Sequence, residues 1–233
     1  MTNSANFNGN LTMFTSQRPD ADQIRQLPLF QSLAPEQIML IQHIDQCHAI
    51  EAELKSAFIL GFDTESEPTF NKGEVSTGPH LIQLATPDHA YLFQVSTPIL
   101  QFLTPIFANA AQIKVGFGLK YDAHLFRKKG IMLNGIIDLA KSFSSYGIQT
   151  QTGVKTAVAL LLNQNFVKNK KISTSNWAKK KLNPEQIVYA AADAYAPVLI
   201  LAALIQQQRL PLDSLKKIQL AQAQFEKSHS YPM

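Results

Sequence analysis

The first residues that could do chemistry are two carboxylates, Asp63 and Glu65, which close an apolar run at residues 57–62. The run is short, rich in aromatic and branched side chains, and followed by a polar segment, which is typical of a buried strand. Side chains two apart on a strand point to the same face, so both carboxylates project together. Their charges raise each other's pKa unless a cation lies between them. The pair indicates either a solvated loop or a metal site, and alone it favours the loop.

Three polar residues further along the chain bear on the choice between a solvated loop and a metal site. Asp122 lies in the first turns of a predicted helix, where an acid can also simply complement the helix dipole. Tyr189 and Asp193 are four apart on a long predicted helix, so they share one face, although a surface pair would have the same spacing. The residues around them are mostly alanines, which would let this helix approach another element closely.

A mixed sheet flanked by helices must position these residues. Three strands in sequence are followed by strands that alternate with helices, which predicts an α/β fold. The predicted strands are residues 39–41, the run ending at Glu65, 80–85, 91–95, 113–117 and 136–137. The predicted helices begin near Asp45, Thr97, Leu119, Val154, Pro184 and Leu212. Asp45 and Asn183 are expected to cap their helices, and Pro105 to bend or end its helix.

Length and composition predict one domain with short appendages. The chain has 233 residues, of which 45% are hydrophobic, enough to bury a full core. We expect a flexible polar leader over residues 1–30, the main domain over 31–210, and a C-terminal amphipathic helix and tail over 211–233. In that last helix Leu212, Leu215, Ile218 and Phe225 form the apolar face.

Several classes of protein are disfavoured by the same counts. The single cysteine, Cys47, excludes an internal disulfide and fits a reducing compartment. No apolar stretch is expected to cross a membrane and no signal peptide is evident, so we expect a cytoplasmic protein without a membrane partner. The six histidines lack zinc-site spacing. A net charge of +4 permits nucleic acid as a partner without requiring it.

In their order and spacing, the four acids and the tyrosine resemble the DEDDy branch of 3′–5′ exonucleases in the ribonuclease H-like superfamily. Within that branch, the pattern looks like that of the Werner-syndrome exonuclease domain and of the ribonuclease D catalytic domain. The resemblance spans residues 38–205 and includes the segments 80–85, 91–93, 175–178 and 182–195. Ser66 and Gly118 depart from the pattern of many relatives, at positions that bear on substrate contacts more than on metal binding.

The resemblance implies a ribonuclease H-like mixed sheet of five to six strands, and two divalent cations, Mg²⁺ or Mn²⁺. Asp63 would bridge both ions, Glu65 and Asp193 would complete one site, and Asp122 would hold the other. Tyr189 would orient the attacking water. Two such ions stabilise the attacking and leaving oxygens of phosphodiester hydrolysis. The expected reaction releases nucleoside monophosphates from single-stranded 3′ ends of DNA or RNA.

Two other functions remain open. One is a nucleic-acid-binding module that kept this fold without catalysis, and the other is an oligoribonuclease acting on very short RNA. An inactive relative would be free to lose a carboxylate, so the presence of all four acids and the tyrosine favours an enzyme. The dependence of cleavage on strand length would identify the oligoribonuclease.

A lysine-rich segment precedes the Tyr189 helix. It is interpreted either as a rim that contacts phosphates or as a solvated face. Trp177, inside it, could stack on a base or anchor the packing. The six lysines are Lys168, Lys170, Lys171, Lys179, Lys180 and Lys181.

Overall fold

The computed structural model describes residues 18–68 and 77–229, and within them one six-stranded sheet carries helices on both faces. The strand order is β1-β4-β3-β2-β5-β6, and β3 runs antiparallel to the other five. This confirms the predicted mixed α/β sheet, which has six strands where five to six were expected. The strands are β1 (Ile38–Ile41), β2 (Ile59–Glu65), β3 (Leu81–Ala85), β4 (Ala90–Gln94), β5 (Ile113–Gly116) and β6 (Ile136–Asp138).

All six predicted helices are present, with corrections at their ends. His43, not Asp45, is the N-cap of the helix there, because Gln46 bonds back to the cap backbone. Pro105 lies inside its helix, which continues for three more residues instead of ending. The helices are α1 (Ala21–Arg25), α2 (Ile44–Ala49), α3 (Glu51–Ser56), α4 (Thr97–Ala108), α5 (Leu119–Lys128), α6 (Val154–Leu162), α7 (Lys170–Ser173), α8 (Pro184–Gln206) and α9 (Leu212–His229).

The alternation of side chains along β2 divides the core into two layers. Leu60 and Phe62 face a layer that includes Phe107 of α4 and Phe126 of α5, with the Phe62 and Phe107 rings edge to face at 5.7 Å. The other face of the sheet is covered by α8, which contacts β1 through β5. Asp63 and Glu65 therefore emerge on the α8 side, since they alternate with Phe62.

Helix α8 begins as the sequence predicts. Asn183 accepts from the Gln186 backbone at 2.8 Å, and the Gln186 side chain accepts from the Asn183 backbone at 3.1 Å. By length and composition α8 could cross a membrane, which corrects the expectation that no segment reaches that length. Most of the apolar surface of α8 is buried against the sheet and α6.

The N-terminal and C-terminal segments pack more closely than predicted. Residues 1–17 of the predicted flexible leader lie outside the described part of the chain. Within residues 18–30, α1 buries Ile24, and Leu29 bridges to Asn165, so these residues contact the domain. Helix α9 buries Ile218 and packs Phe225 against Phe58, with the two ring centres 5.4 Å apart. It covers the domain's own surface, although Leu212 is 71% exposed instead of packed.

Candidate active site

Three of the four predicted acids form one cluster at the end of β2. Asp63 and Glu65 from β2 and Asp193 from α8 each offer a carboxylate oxygen, and these oxygens lie within 4.8 Å of one another. Asp193 is buried, with its side chain only 3% exposed. The cluster joins residues separated by more than a hundred positions in sequence.

A glycine in β2 lets α8 come close enough to build this cluster. A Cβ placed on Gly61 would lie 1.9 Å from the carbonyl oxygen of Ala194, so the helix backbone rests directly on the strand. Ala190 and Ala194 are both fully buried in this contact region. Gly61 precedes Asp63 by two residues and Ala194 follows Asp193, so the close approach brings the two carboxylates together.

Burial and mutual repulsion make it costly to ionise all three acids together. Burial raises the pKa of Asp63 well above its usual range, and the charges of Asp193 and Asp122 raise it further. Burial, followed by the charge of Asp63, raises the pKa of Glu65 to about 9. Burial also raises the pKa of Asp193, against the opposing effect of Lys168. Near neutral pH, a divalent cation bound among these carboxylates would favour the ionised form of all three.

Lys168 supplies a positive charge at the cluster. Its Nζ lies 3.1 Å from Asp193 Oδ1 and 3.4 Å from Oδ2, and 5.9 Å from the centre of the Tyr189 ring. Burial lowers the pKa of Lys168, but the charges of Asp193 and Asp63 outweigh it and raise that pKa overall. Sequence reasoning grouped Lys168 with the other lysines, and no spacing rule could have separated it from them.

Asp122 lies outside the three-acid cluster. Its Oδ1 accepts a hydrogen bond of 2.5 Å from Thr64 Oγ1. Burial raises the pKa of Asp122, and the Thr64 bond opposes that rise. The turn before α5 is held by Asp138, which accepts from the Gly118 backbone at 3.0 Å. Gly118 has a φ of 75°, a conformation that glycine adopts without strain.

Tyr189 faces the same region of the site. Burial raises its pKa above the ordinary range, with further contributions from the charge and hydrogen bonding of Asp193. Trp177 packs beside it, with ring centres 6.1 Å apart, and donates Nε1 to the Ser173 carbonyl at 3.3 Å. Trp177 is 1% exposed, which supports the second of the two roles that the sequence left open, a ring that anchors the packing around Tyr189.

The remaining lysines of the segment are exposed beside the site. The backbone of the second group is fixed, because Gln94 donates to the Lys179 carbonyl at 2.8 Å and Gln42 to the Lys180 carbonyl at 3.1 Å. Their side chains therefore project from an anchored stretch of chain. The exposed members are Lys170, Lys171, Lys179, Lys180 and Lys181.

The donor set fits a hard divalent cation. All three clustered ligands are carboxylates, the oxygen donors that Mg²⁺ and Mn²⁺ prefer. The ammonium group of Lys168 lies against Asp193, so a positive charge is present beside the cluster. Among residues 18–68 and 77–229, this is the group of acids with metal-site spacing.

Comparison with known proteins identifies related chains. Residues 38–208 match a protein family described as 3′–5′ exonuclease. The chain is 28% identical over 155 residues to the mouse bifunctional 3′–5′ exonuclease/ATP-dependent helicase WRN, covering 65% of this chain and 11% of that protein. It spans half or less of the length of the first curated relatives that it matches.

Solved structures share the fold. The Nibbler EXO domain of Aedes aegypti superposes with a TM-score of 0.66 at 23% identity, over 83% of this chain and all of that one. Trypanosoma brucei RNase D in complex with RNA U12 has a TM-score of 0.67 at 16% identity, covering 90% of this chain and 73% of that one.

Proposed function

The chain belongs to the 3′–5′ exonuclease family, and we propose that it hydrolyses phosphodiester bonds at the 3′ ends of single-stranded nucleic acid, releasing nucleoside monophosphates. The observation that carries the proposal is the buried carboxylate cluster of Asp63, Glu65 and Asp193, with ligand oxygens within 4.8 Å of one another. A structural ion pair would need one acid for Lys168, whereas three acids leave two further carboxylates, which near neutral pH are ionised together when a divalent cation binds them.

In this proposal the three clustered acids hold one divalent cation, Mg²⁺ or Mn²⁺, and Asp122 contributes to a second beside Asp63. When bound, such ions lower the pKa of water and stabilise charge on the phosphate oxygens. The influence of Asp122 on the Asp63 pKa supports the nearness that a shared site requires.

Tyr189 and Lys168 have distinct tasks beside the carboxylates. The raised pKa of Tyr189 keeps its hydroxyl protonated, so it orients a water or a phosphate oxygen by hydrogen bonding and does not act as a free base. The ammonium of Lys168 balances charge on Asp193, and in this proposal it also attracts a phosphate oxygen of the substrate.

The exposed lysines beside the site supply the contacts to the strand. Phosphate contacts give affinity without sequence preference, as an exonuclease that removes successive nucleotides requires. The similarity of fold to an RNase D solved with RNA supports nucleic acid as the substrate class. Both DNA and RNA strands are therefore tested.

The test follows 5′-labelled DNA and RNA strands of several lengths, with Mn²⁺ and with EDTA, using wild type and Asp63→Ala. We expect a ladder that shortens from the 3′ end only with Mn²⁺, and none with Asp63→Ala. A 3′-blocked strand is the control for direction. Strand binding without cleavage would instead indicate an inactive module, and cleavage confined to the shortest RNA would indicate an oligoribonuclease.

A further inference from the structure

Gln83 is the polar residue of an otherwise apolar buried strand. All five residues of β3 are buried, and Gln83 is 0% exposed. An amide in such a position costs stability unless its polar atoms are bonded, so an apolar residue would suit the strand better.

The position of Gln83 places it next to the carboxylate cluster. Gln83 is the direct cross-strand partner of Asp63 in the antiparallel β2–β3 pair. Directly opposed residues point to the same face, with Cβ atoms roughly 4.5–5.5 Å apart. The side chain therefore lies on the α8 side of the sheet, beside Asp63 and beneath the helix that carries Asp193.

Both polar atoms of this side chain are unused. Within the described part of the chain, Nε2 and Oε1 of Gln83 are buried and have no hydrogen-bond partner. Gln112 is equally buried, at 1% exposed, but its Nε2 donates to the carbonyls of Leu54 and Ala57, both at 2.7 Å. One buried glutamine is thus structural, whereas the other keeps a free donor beside an acid of the site.

We propose that Gln83 is a positioning residue that orients the carboxylate of Asp63 for cation binding, through a hydrogen bond from Nε2. This rests on the proposed function, in which Asp63 is a cation ligand. A carboxylate that binds an ion keeps oxygen lone pairs that can still accept a hydrogen bond. An amide donor held beside it therefore fixes the orientation of the carboxylate. The unpaired amide of Gln83 lowers the stability of the metal-free fold, and its hydrogen bond to Asp63 forms when a cation binds the site.

The test compares Gln83→Met with Gln112→Met, because methionine keeps the length and flexibility of glutamine and removes its polar atoms. Free Mn²⁺ is measured by electron paramagnetic resonance in titrations of each full-length protein, at a temperature where each is folded. Melting is measured separately in EDTA. Loss of such a supporting bond typically weakens metal affinity 10- to 100-fold.

We expect Gln83→Met to melt at or above the wild-type temperature in EDTA, to bind Mn²⁺ about 10- to 100-fold more weakly, and to lower kcat with KM for the strand unchanged. Gln112→Met should melt lower and bind Mn²⁺ as wild type does. Mn²⁺ binding by Gln83→Met within about twofold of wild type would overturn the inference. A wild-type chain that binds no Mn²⁺ would instead overturn the proposed function, and this inference with it.

Discussion

Replacing Gly61 by alanine should separate the two halves of the carboxylate cluster. The added Cβ would lie 1.9 Å from the Ala194 carbonyl oxygen, 2.8 Å from a Val198 methyl and 3.0 Å from the Ala194 carbonyl carbon. Real Cβ contacts essentially never fall below 3.0 Å, so α8 must retreat from β2 by at least about 1.1 Å, the difference between 3.0 and 1.9 Å. Asp193 precedes Ala194 and must move with it.

Two magnitudes follow from that displacement. Forcing one extra carbon into a packed core costs about 1–3 kcal/mol, and the entropy that alanine saves over glycine returns about 0.5–1 kcal/mol. The net loss of about 0–2.5 kcal/mol lowers Tm by at most roughly 10 °C in a chain of this size. A misplacement of about 1 Å at a reacting centre costs about 10²-fold in rate.

Melting in EDTA, Mn²⁺ affinity and single-turnover hydrolysis below the melting range check these values. Gly153→Ala is the matched control, since a Cβ there meets nothing within 4 Å and the residue only caps α6. That control should lose less than about 1 kcal/mol and keep its turnover. Wild-type turnover and melting by Gly61→Ala would refute the claim that the strand–helix approach sets the site.

Three other outcomes are expected. Tyr189→Phe should lower kcat by about 10²-fold in single-turnover kinetics with little change in KM, and a rate within about threefold of wild type would make the tyrosine structural. Alanine at the three lysines 179–181 should flatten the salt dependence of single-strand binding by about 0.7 log unit per lost phosphate contact, whereas an unchanged slope would make them a solvated face. In EDTA, the raised pKa values of Asp63 and Glu65 stabilise the fold at pH values below the ordinary range of carboxylic acids, and this stabilisation is lost as pH rises through the folded pKa of Glu65, about 9. The difference in melting temperature between wild type and Asp63→Asn should therefore fall between about pH 5 and 9. A difference that does not change with pH would contradict this expectation.

Elements with a strong local pattern could be predicted from the sequence. The strand ending at Glu65 and the capping box at Asn183 are examples, because both depend on residues close together in the chain. The Asn183 helix and the two carboxylates of β2 thereby defined most of the candidate cluster. The resemblance to a known family added Asp122 and the role of Tyr189.

Features that depend on distant contacts could not be predicted in the same way. The ion pair of Lys168 with Asp193 arises from how the segment before α7 folds back over α8, and nothing in the lysine run marks its first member. The packing of Trp177 against Tyr189 likewise depends on tertiary structure. Gln83 did carry a signal, since it is a lone amide within an apolar strand, but its relation to Asp63 needed the strand register.

The separation of the cluster along the chain has a consequence for synthesis and breakdown of the protein. Asp63 and Glu65 leave the ribosome long before Asp193, and α8 must be complete to rest on Gly61. A nascent chain therefore carries its strand and its first two acids without a closed site. The same holds for a fragment cut between residues 139 and 184, which keeps all six strands and loses the third ligand. A copy that lacks α8 cannot assemble the three-acid cluster, so the arrangement makes the site depend on a chain completed through that helix.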